Sequence, residues 1–294
     1  MAITLGLGVT YHDTSVETSA KSPIRAIFGY GNGATNKTNL VNNYGGVALD
    51  TTGVGTARAE LAAAGYGGDK AIFGYGQIGA YVSMTNLVSN IGVVAGDITG
   101  VGTGRKALAA ATYGGDKAIF GYGEKANNTA EDFTAVTNKV SNTGVVVTDT
   151  AGIGIARRSL AAASYGVDKA IFSYGAGNTG GGGGVSTFNI PTNLVSNTGV
   201  VGASVTGVGT GRSSPAAAGY GGDKAIFGYG AVIGAASMTN LVSNTGIIAA
   251  DVTNITTARY ILAAAGYGGD KAIFGYGTNN TGTPPSFSLT NLVS

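Results

Sequence analysis

Five arginines, Arg58, Arg105, Arg157, Arg212 and Arg259, each stand thirteen residues ahead of an Ala-Ile-Phe tripeptide. A guanidinium is a planar fork of donors that matches a carboxylate. Arrayed around one mouth of a channel, five of them would make a site for an anion or a glycan carboxylate. The same fork can instead tie neighbouring segments together through backbone carbonyls or an Asp, and that structural use is the expected one. The pairs Asp69/Lys70, Asp116/Lys117, Asp168/Lys169, Asp223/Lys224 and Asp270/Lys271 also recur. Calcium needs several oxygens converging on one point; one Asp per copy does not supply them, and a solvated turn is expected. Paired tyrosines such as Tyr113 and Tyr122 could stack on sugar faces, but in every copy of a repeat they are expected to pack between copies. Gly-Tyr-Gly-Gly-Asp-Lys lacks the spacing of a phosphate loop.

The chain has no cysteine, no tryptophan and one histidine, His12. Thiolate nucleophiles, disulfides and His-based zinc sites are therefore excluded, and no cofactor or metal is expected. A hydrolase would require loop carboxylates such as Glu124, Glu131 and Asp132 to converge, so a non-enzyme is expected. The net charge of +2 implies neither a nucleic-acid nor a membrane-surface partner. No stretch approaches 18 apolar residues, so no membrane insertion is expected. Residues 1–14 read as no secretory signal. Apolar residues make up 44% and charged residues 11%, against disorder, while 53 glycines argue against helix.

The elements that must position these residues are repeats. Ala-Ile-Phe-(Gly/Ser)-Tyr-Gly begins at Ala26, Ala71, Ala118, Ala170, Ala225 and Ala272, alternating with Thr-Asn-(Leu/Lys)-Val at Thr38, Thr85, Thr137, Thr192, Thr239 and Thr290. From the valine of one signature to the next Ala-Ile-Phe alanine the interval is always 30 residues. Between Gly-Tyr-Gly and Thr-Asn it varies from 6 to 16. An interval that tolerates no insertion is a register-locked core, and one that tolerates ten extra residues is a surface loop.

One copy reads as four short strands. Leu108–Tyr113 is followed by turn chemistry at Gly114–Lys117, then by Ala118–Tyr122, Thr137–Ser141 and, after Asn142-Thr143-Gly144, Val145–Thr148. The expected architecture is all-β: a single domain over residues 1–294, a six-bladed β-propeller of four-stranded antiparallel blades. Residues 1–25 are expected to close the ring, lending strands that the last copy lacks. The unit resembles the kelch repeat, running from Arg105 through Leu108–Ala111 to Ala118–Gly123, and likewise from Arg58, Arg157, Arg212 and Arg259. It departs from that pattern in having no tryptophan and Gly-Tyr-Gly in place of a glycine doublet. Such near-identical glycine-rich units are also similar to tandem repeats of phage tail-fibre and other virion proteins.

The variable loops, at residues 32–37, 77–84, 124–136, 176–191, 231–238 and 278–289, are expected on one face, beside the arginine-bearing connections. Their candidate binding residues are Tyr81, Phe133, Asn178, Phe188 and Phe287, suited to stacking and adaptable hydrogen bonding. The expected function is a non-enzymatic binding scaffold, a virion or extracellular tail-associated adhesin recognising host surface glycan or protein. The rival is a structural assembly protein of a virion or other large complex, with no external ligand; contacts with other virion subunits and a homo-oligomer are compatible with either.

Overall fold

A computed structural model describes residues 2–5, 25–31, 35–125, 132–177, 191–253, 256–279 and 287–294. Among them there is no α-helix, and the strands form small antiparallel sheets, none of which closes on itself. The first sheet comprises β1 (Ala2–Leu5), β2 (Arg25–Gly31) and β3 (Thr35–Val41). The second comprises β4 (Ala62–Tyr66), β5 (Lys70–Gly74) and β6 (Thr85–Val88), and the third β7 (Ala109–Tyr113), β8 (Lys117–Gly121) and β9 (Thr137–Val140). After the short β10 (Arg157–Arg158), the fourth comprises β11 (Ala161–Tyr165), β12 (Lys169–Ser173), β14 (Pro191–Val195) and β15 (Val205–Thr206). Beside it, β13 (Ala176–Gly177) pairs with β10 in a separate two-stranded sheet. The fifth comprises β16 (Ala216–Tyr220), β17 (Lys224–Gly228) and β18 (Thr239–Val242), and the sixth β19 (Ala263–Tyr267), β20 (Lys271–Gly275) and β21 (Thr290–Val293).

The Ala-Ile-Phe strand sits at the centre of each sheet. In β8, Ala118, Ile119 and Phe120 are all fully buried, because both faces of the strand are covered. That explains a continuous apolar run where a half-exposed strand would alternate. Ala118 pairs with Val140 and Gly121 with Thr137 on one side, and Tyr113 pairs with Lys117 on the other. The same pairings recur in the second and fifth sheets. The constant interval of 30 residues therefore spans two ladders whose register must agree, and one inserted residue would turn a buried row outward.

The fourth strand differs from expectation. Among the described residues only the fourth sheet pairs a fourth strand, β15. Elsewhere the segment is held by isolated bridges, Val88 to Val94 and Thr85 to Ile98, or Val140 to Val146 and Thr137 to Thr150. The partner sequence gains one residue between the two bridges, so the ladder is interrupted by a bulge. In the N-terminal segment β1 pairs with β2, Ala2 opposite Phe28 and Leu5 opposite Arg25, and supplies the first strand of the first sheet; residues 6–24 lie outside the described residues.

Successive sheets pack through one repeated aromatic contact. Tyr30 meets Phe73, Tyr75 meets Phe120, Tyr122 meets Phe172, Tyr174 meets Phe227 and Tyr229 meets Phe274, with ring centroids 4.9–5.3 Å apart. The same contact joins the last unit to the first: Tyr276 lies edge-on to Phe28 at 5.2 Å. The strands β1, β4, β7, β11, β16 and β19 pack against one another in that order, and β19 packs against β1. Five of the six units place glycine where the next phenylalanine presses in, and the fourth places Ser173 there, its hydroxyl bonded to that of Thr192. A Cβ on Gly121 would stand 2.9 Å from the Phe172 ring, and one on Gly275 would stand 2.8 Å from Phe28.

Phe172→Ala removes a fully buried ring that serves two sheets. The expected loss is about 3–5 kcal/mol of unfolding free energy, measured by urea denaturation.

Candidate functional site

The five repeat arginines are fully buried. Arg105 is representative: its guanidinium carbon lies 4.4 Å from the ring centroid of Tyr75 in the preceding unit. Its Nη2 donates to Asn138 Oδ1 at 2.6 Å and its Nη1 to the Thr103 carbonyl at 3.3 Å. Arg58 and Arg212 also donate through Nε to the carbonyls of Tyr75 and Tyr229. Behind each asparagine stands an acid. Asn138 donates to Asp149 at 2.9 Å, and Asp149 accepts from the Thr103 amide and hydroxyl. Asp97 with Thr56, and Asp251 with Thr210, repeat the arrangement. In the fourth unit Ile155 and Ser204 replace the Thr and the Asp together. The Nη donors of these arginines are turned onto the protein itself, while Nε of Arg105, Arg157 and Arg259 is buried without a partner, and the side chains line no open mouth.

Burial alone would raise the pKa of Asp97, Asp149 and Asp251. The hydrogen bonds from Thr and Asn, with the nearby Arg charge, outweigh it and hold all three below the ordinary carboxylate value. Burial lowers the pKa of Arg58, Arg105, Arg157 and Arg212 and raises that of Tyr75 to about 12.

The loops begin where the sequence places them, beside the arginine-bearing connections. Isolated bridges join Ala59 to Gln77, Lys106 to Glu124, Ser213 to Ala231 and Tyr260 to Thr278, and β10 and β13 do the same in the fourth unit. These are the positions just after each Arg and just after each Gly-Tyr-Gly. Among the expected binding residues, Tyr81 and Phe133 come together in one cluster. Phe287 belongs to the sixth unit and is half-buried, its amide donating to the Gly277 carbonyl at 2.9 Å. Asn178 and Phe188 lie outside the described residues, as do Glu131 and the glycine run 180–184.

The cluster spans the second, third and fourth units and centres on Glu124, which is fully buried. Glu124 forms an ion pair with Arg158 and accepts from the Tyr81 hydroxyl at 2.6 Å; Lys106 Nζ stands 4.0 Å away. Lys106 also faces Glu60 at 3.5 Å and lies 5.2 Å from the centroid of the Tyr81 ring. Glu60 accepts from Gln77 Nε2 at 2.7 Å. Arg158 covers the buried Phe133 ring at 5.0 Å. Burial, then the hydrogen bond to Glu124, pushes the Tyr81 pKa strongly up, so its proton stays in place. Lys106, Arg158, Glu60 and Gln77 were not singled out from sequence. Their signal was available: the two residues after each recurring Arg, and the one after each Gly-Tyr-Gly, change type from copy to copy.

The cluster adjoins one end of a cavity of about 920 Å³ enclosed by the first strands of the sheets. Its wall is mostly alanine, from Ala63, Ala110, Ala162, Ala217 and Ala264 among others. Glu60, Ala107, Ser159, Ser214 and Ile261 line the cluster's end, all at φ of 49–54°. The positive φ aims each amide at the carbonyl of the preceding unit: Ala107 donates to Glu60, Ser159 to Ala107, Ser214 to Ser159 and Ile261 to Ser214 at 2.7–3.3 Å. Lys70, Lys224 and Lys271 lie at the other end, where the tight turns are. Among the described residues no group of three His, Cys, Asp or Glu is placed to hold a metal ion, and no helix is long and apolar enough to cross a membrane. No protein-family model matches the chain, and no curated protein matches it.

Two outcomes are expected. Arg105→Met strands Asn138 and Asp149 and bares the Tyr75 face, lowering unfolding free energy by about 3 kcal/mol in urea. The three aspartates have folded pKa values below their unfolded ones. Their stabilisation is full above about pH 4 and is lost as pH falls through the folded values. The thermal midpoint should hold from pH 7 to 5 and drop below pH 4, less steeply in Asp149→Asn.

Proposed function

We propose that the chain is a six-bladed β-propeller whose loop-bearing end is a non-enzymatic binding surface, in a virion appendage or tail-associated adhesin that engages host surface glycan or protein. The ring is supported by the Tyr276–Phe28 contact, which repeats between the last and first units the packing found between every other pair. A ring brings all six loops to one end of the central cavity, around a rigid frame.

The observation that carries the binding reading is the break in repeat symmetry at that end. Charged and aromatic side chains from three units are assembled there, where the fifth unit offers Ser213 and Ala231 and the sixth Tyr260 and Thr278. Sequence that drifts freely would not be expected to place an acid, two cations and two aromatic rings from different loops in mutual contact. Glu60, Gln77 and Lys106, at the rim, offer acceptors and donors for sugar hydroxyls or a polar peptide. Glu124 is an organising residue in this reading, since its carboxylate is enclosed by Arg158 and Tyr81.

One observation favours a structural assembly role instead. The fourth segments expose Val93, Val145, Val200 and Ile247 around the outer edges of the sheets, an apolar perimeter suited to neighbouring subunits.

Replacing residues 126–131 and 178–190 with short Gly-Ser linkers leaves the described framework intact. Binding to a glycan array or to host cells should be lost while the thermal midpoint moves by only a few degrees. Binding that survives both replacements would refute the loop-face reading. Silence on both targets, together with a discrete oligomer by native mass measurement, would favour assembly.

A further inference from the structure

In the second, third and fifth units the buried arginine reaches a carboxylate. Arg58 Nη1 lies 3.8 Å from Asp97, Arg105 Nη1 3.8 Å from Asp149 and Arg212 Nη1 3.9 Å from Asp251. Each Asp uses its two oxygens in the same way. Oδ1 accepts from the buried asparagine at 2.8–2.9 Å, and Oδ2 accepts from the hydroxyl of the threonine two residues ahead of the Arg at 2.6–2.7 Å. The amide of that threonine donates to the carboxylate as well. A guanidinium taken out of water is costly unless an opposite charge stands close by, and in these three units the Asp supplies it.

The fourth unit keeps the arginine and loses the acid. Arg157 is fully buried, and its Nη1 and Nη2 donate to the carbonyls of Ile155 and Phe172 at 3.1 and 3.4 Å. Among the described residues it forms no ion pair, and the undescribed loop of this unit, residues 178–190, contains neither Asp nor Glu. Ser204 stands at the Asp position, with its Oγ in the place of Oδ1. Asn193 Nδ2 donates to it at 3.1 Å, and a Cβ on Gly154 would lie 2.3 Å from it, against 2.2 Å between one on Gly102 and Asp149 Oδ1. Serine has no second oxygen, but the groups that would meet one are kept. Gly154 holds the left-handed turn of Gly55, Gly102 and Gly209, at φ of 76–87°, and so presents the Ile155 amide as those turns present the threonine amides. Among the described residues that amide has no acceptor, and neither has the Ser204 hydroxyl proton. Ile155 and Ser204 are partly exposed, so the place is reachable from solvent.

We infer that the fourth unit binds a small monovalent anion of chloride size beside Arg157, held by the Ile155 amide and the Ser204 hydroxyl in the place of the missing carboxylate oxygen. A backbone N–H set by a left-handed turn is a natural anion donor, and a serine hydroxyl that already accepts from Asn193 has its proton left to give. Size follows from what has been given up. Only one oxygen is absent, and Ile155 brings apolar atoms where the other units have a threonine hydroxyl. A single-atom halide is satisfied by this donor set, whereas sulfate or phosphate would bring oxygens with no further donors to meet them. Bound, the ion returns to Arg157 the opposite charge that Asp97, Asp149 and Asp251 give to its counterparts. The carboxylate of Glu124 is engaged elsewhere, with Arg158 and Tyr81.

The test measures chloride line broadening by nuclear magnetic resonance on the full chain, with bromide as competitor. The thermal midpoint is read in parallel in sodium chloride and in sodium methanesulfonate of equal ionic strength. Saturable broadening that bromide removes is expected, with a midpoint a few degrees higher in chloride, because an ion bound only by the folded state stabilises it. The double variant Ile155→Thr/Ser204→Asp rebuilds the carboxylate and its threonine. It should lose the saturable broadening and melt at the same temperature in both salts, above the unmodified chain in methanesulfonate. Ser204→Ala removes one donor without adding charge and should weaken chloride binding severalfold; this variant decides the matter if the double variant does not fold. Three results would overturn the inference: no saturable broadening in the unmodified chain; a midpoint indifferent to chloride; and broadening that a folded double variant retains in full, which would mean an adventitious ion only.

Discussion

Each unit presents an Ala-Ile-Phe strand that it cannot cover alone, and the stack of Phe, Tyr and Arg across the unit boundary is what covers it. Phe120 of the third unit packs under Tyr75 of the second, and Arg105 lies over the other side of the same tyrosine. Aromatic rings of this size each bury about 150–250 Å², and the guanidinium adds a cation–π contact in a dry setting. Such an interface makes every unit depend on its neighbours, so stability is a nearest-neighbour property. Nothing in that geometry gives a natural end, and the contact between Tyr276 and Phe28 treats the last and first units as neighbours.

The stack imposes costs that the rest of the unit offsets. Tyr75, Tyr122, Tyr174 and Tyr229 are all held at φ of 62–66°, a conformation unfavourable for a side-chain-bearing residue. It turns the chain sharply so that the ring can reach back between sheets. The buried guanidinium must likewise be satisfied, and Asn138, Asp149 and Thr103 form a relay that carries its charge to the half-exposed edge. The fourth segment carries that Asp. Its contribution is thus polar as well as structural, which accounts for its persistence despite the interrupted ladder. Where the fourth unit loses the Thr and the Asp together, the relay is shortened and Arg157 leans on backbone carbonyls instead.

Function must be sought where the repeat is broken, because whatever is common to all copies is spent on holding them together. The residues after each Arg and each Gly-Tyr-Gly escape the stack, and in three adjacent units they have been used to build a cross-unit cluster around Glu124. Its rim, beside an alanine-walled cavity, offers polar groups on a frame that leaves little freedom to the backbone beneath. Glu60 and the residues equivalent to it are tied amide to carbonyl from unit to unit. On the proposed binding reading, such a surface would recognise by shape and hydrogen bonding, without rearrangement.

Much of this could be read from the residues. Periodicity and the fixed interval of 30 residues set the strand order, the turn at Gly114–Lys117 and the loops, because register is a one-dimensional constraint that leaves its mark in spacing. The burial of Tyr113 and Tyr122 followed from their recurrence. Other features depended on what lies across the unit boundary. The fourth strand looked like a full strand in Val145–Thr148, but the bulge opposite Thr137–Val140 reduced it to bridges. The pairing of the N-terminal strand with β2, which places it in the first sheet, was not legible from spacing. Phe133 looked like an exposed stacking residue until Arg158 proved to cover it. Spacing along a chain records which residues must stay in step. Which neighbour shields a side chain from water is a property of three dimensions, and only the folded arrangement decides it.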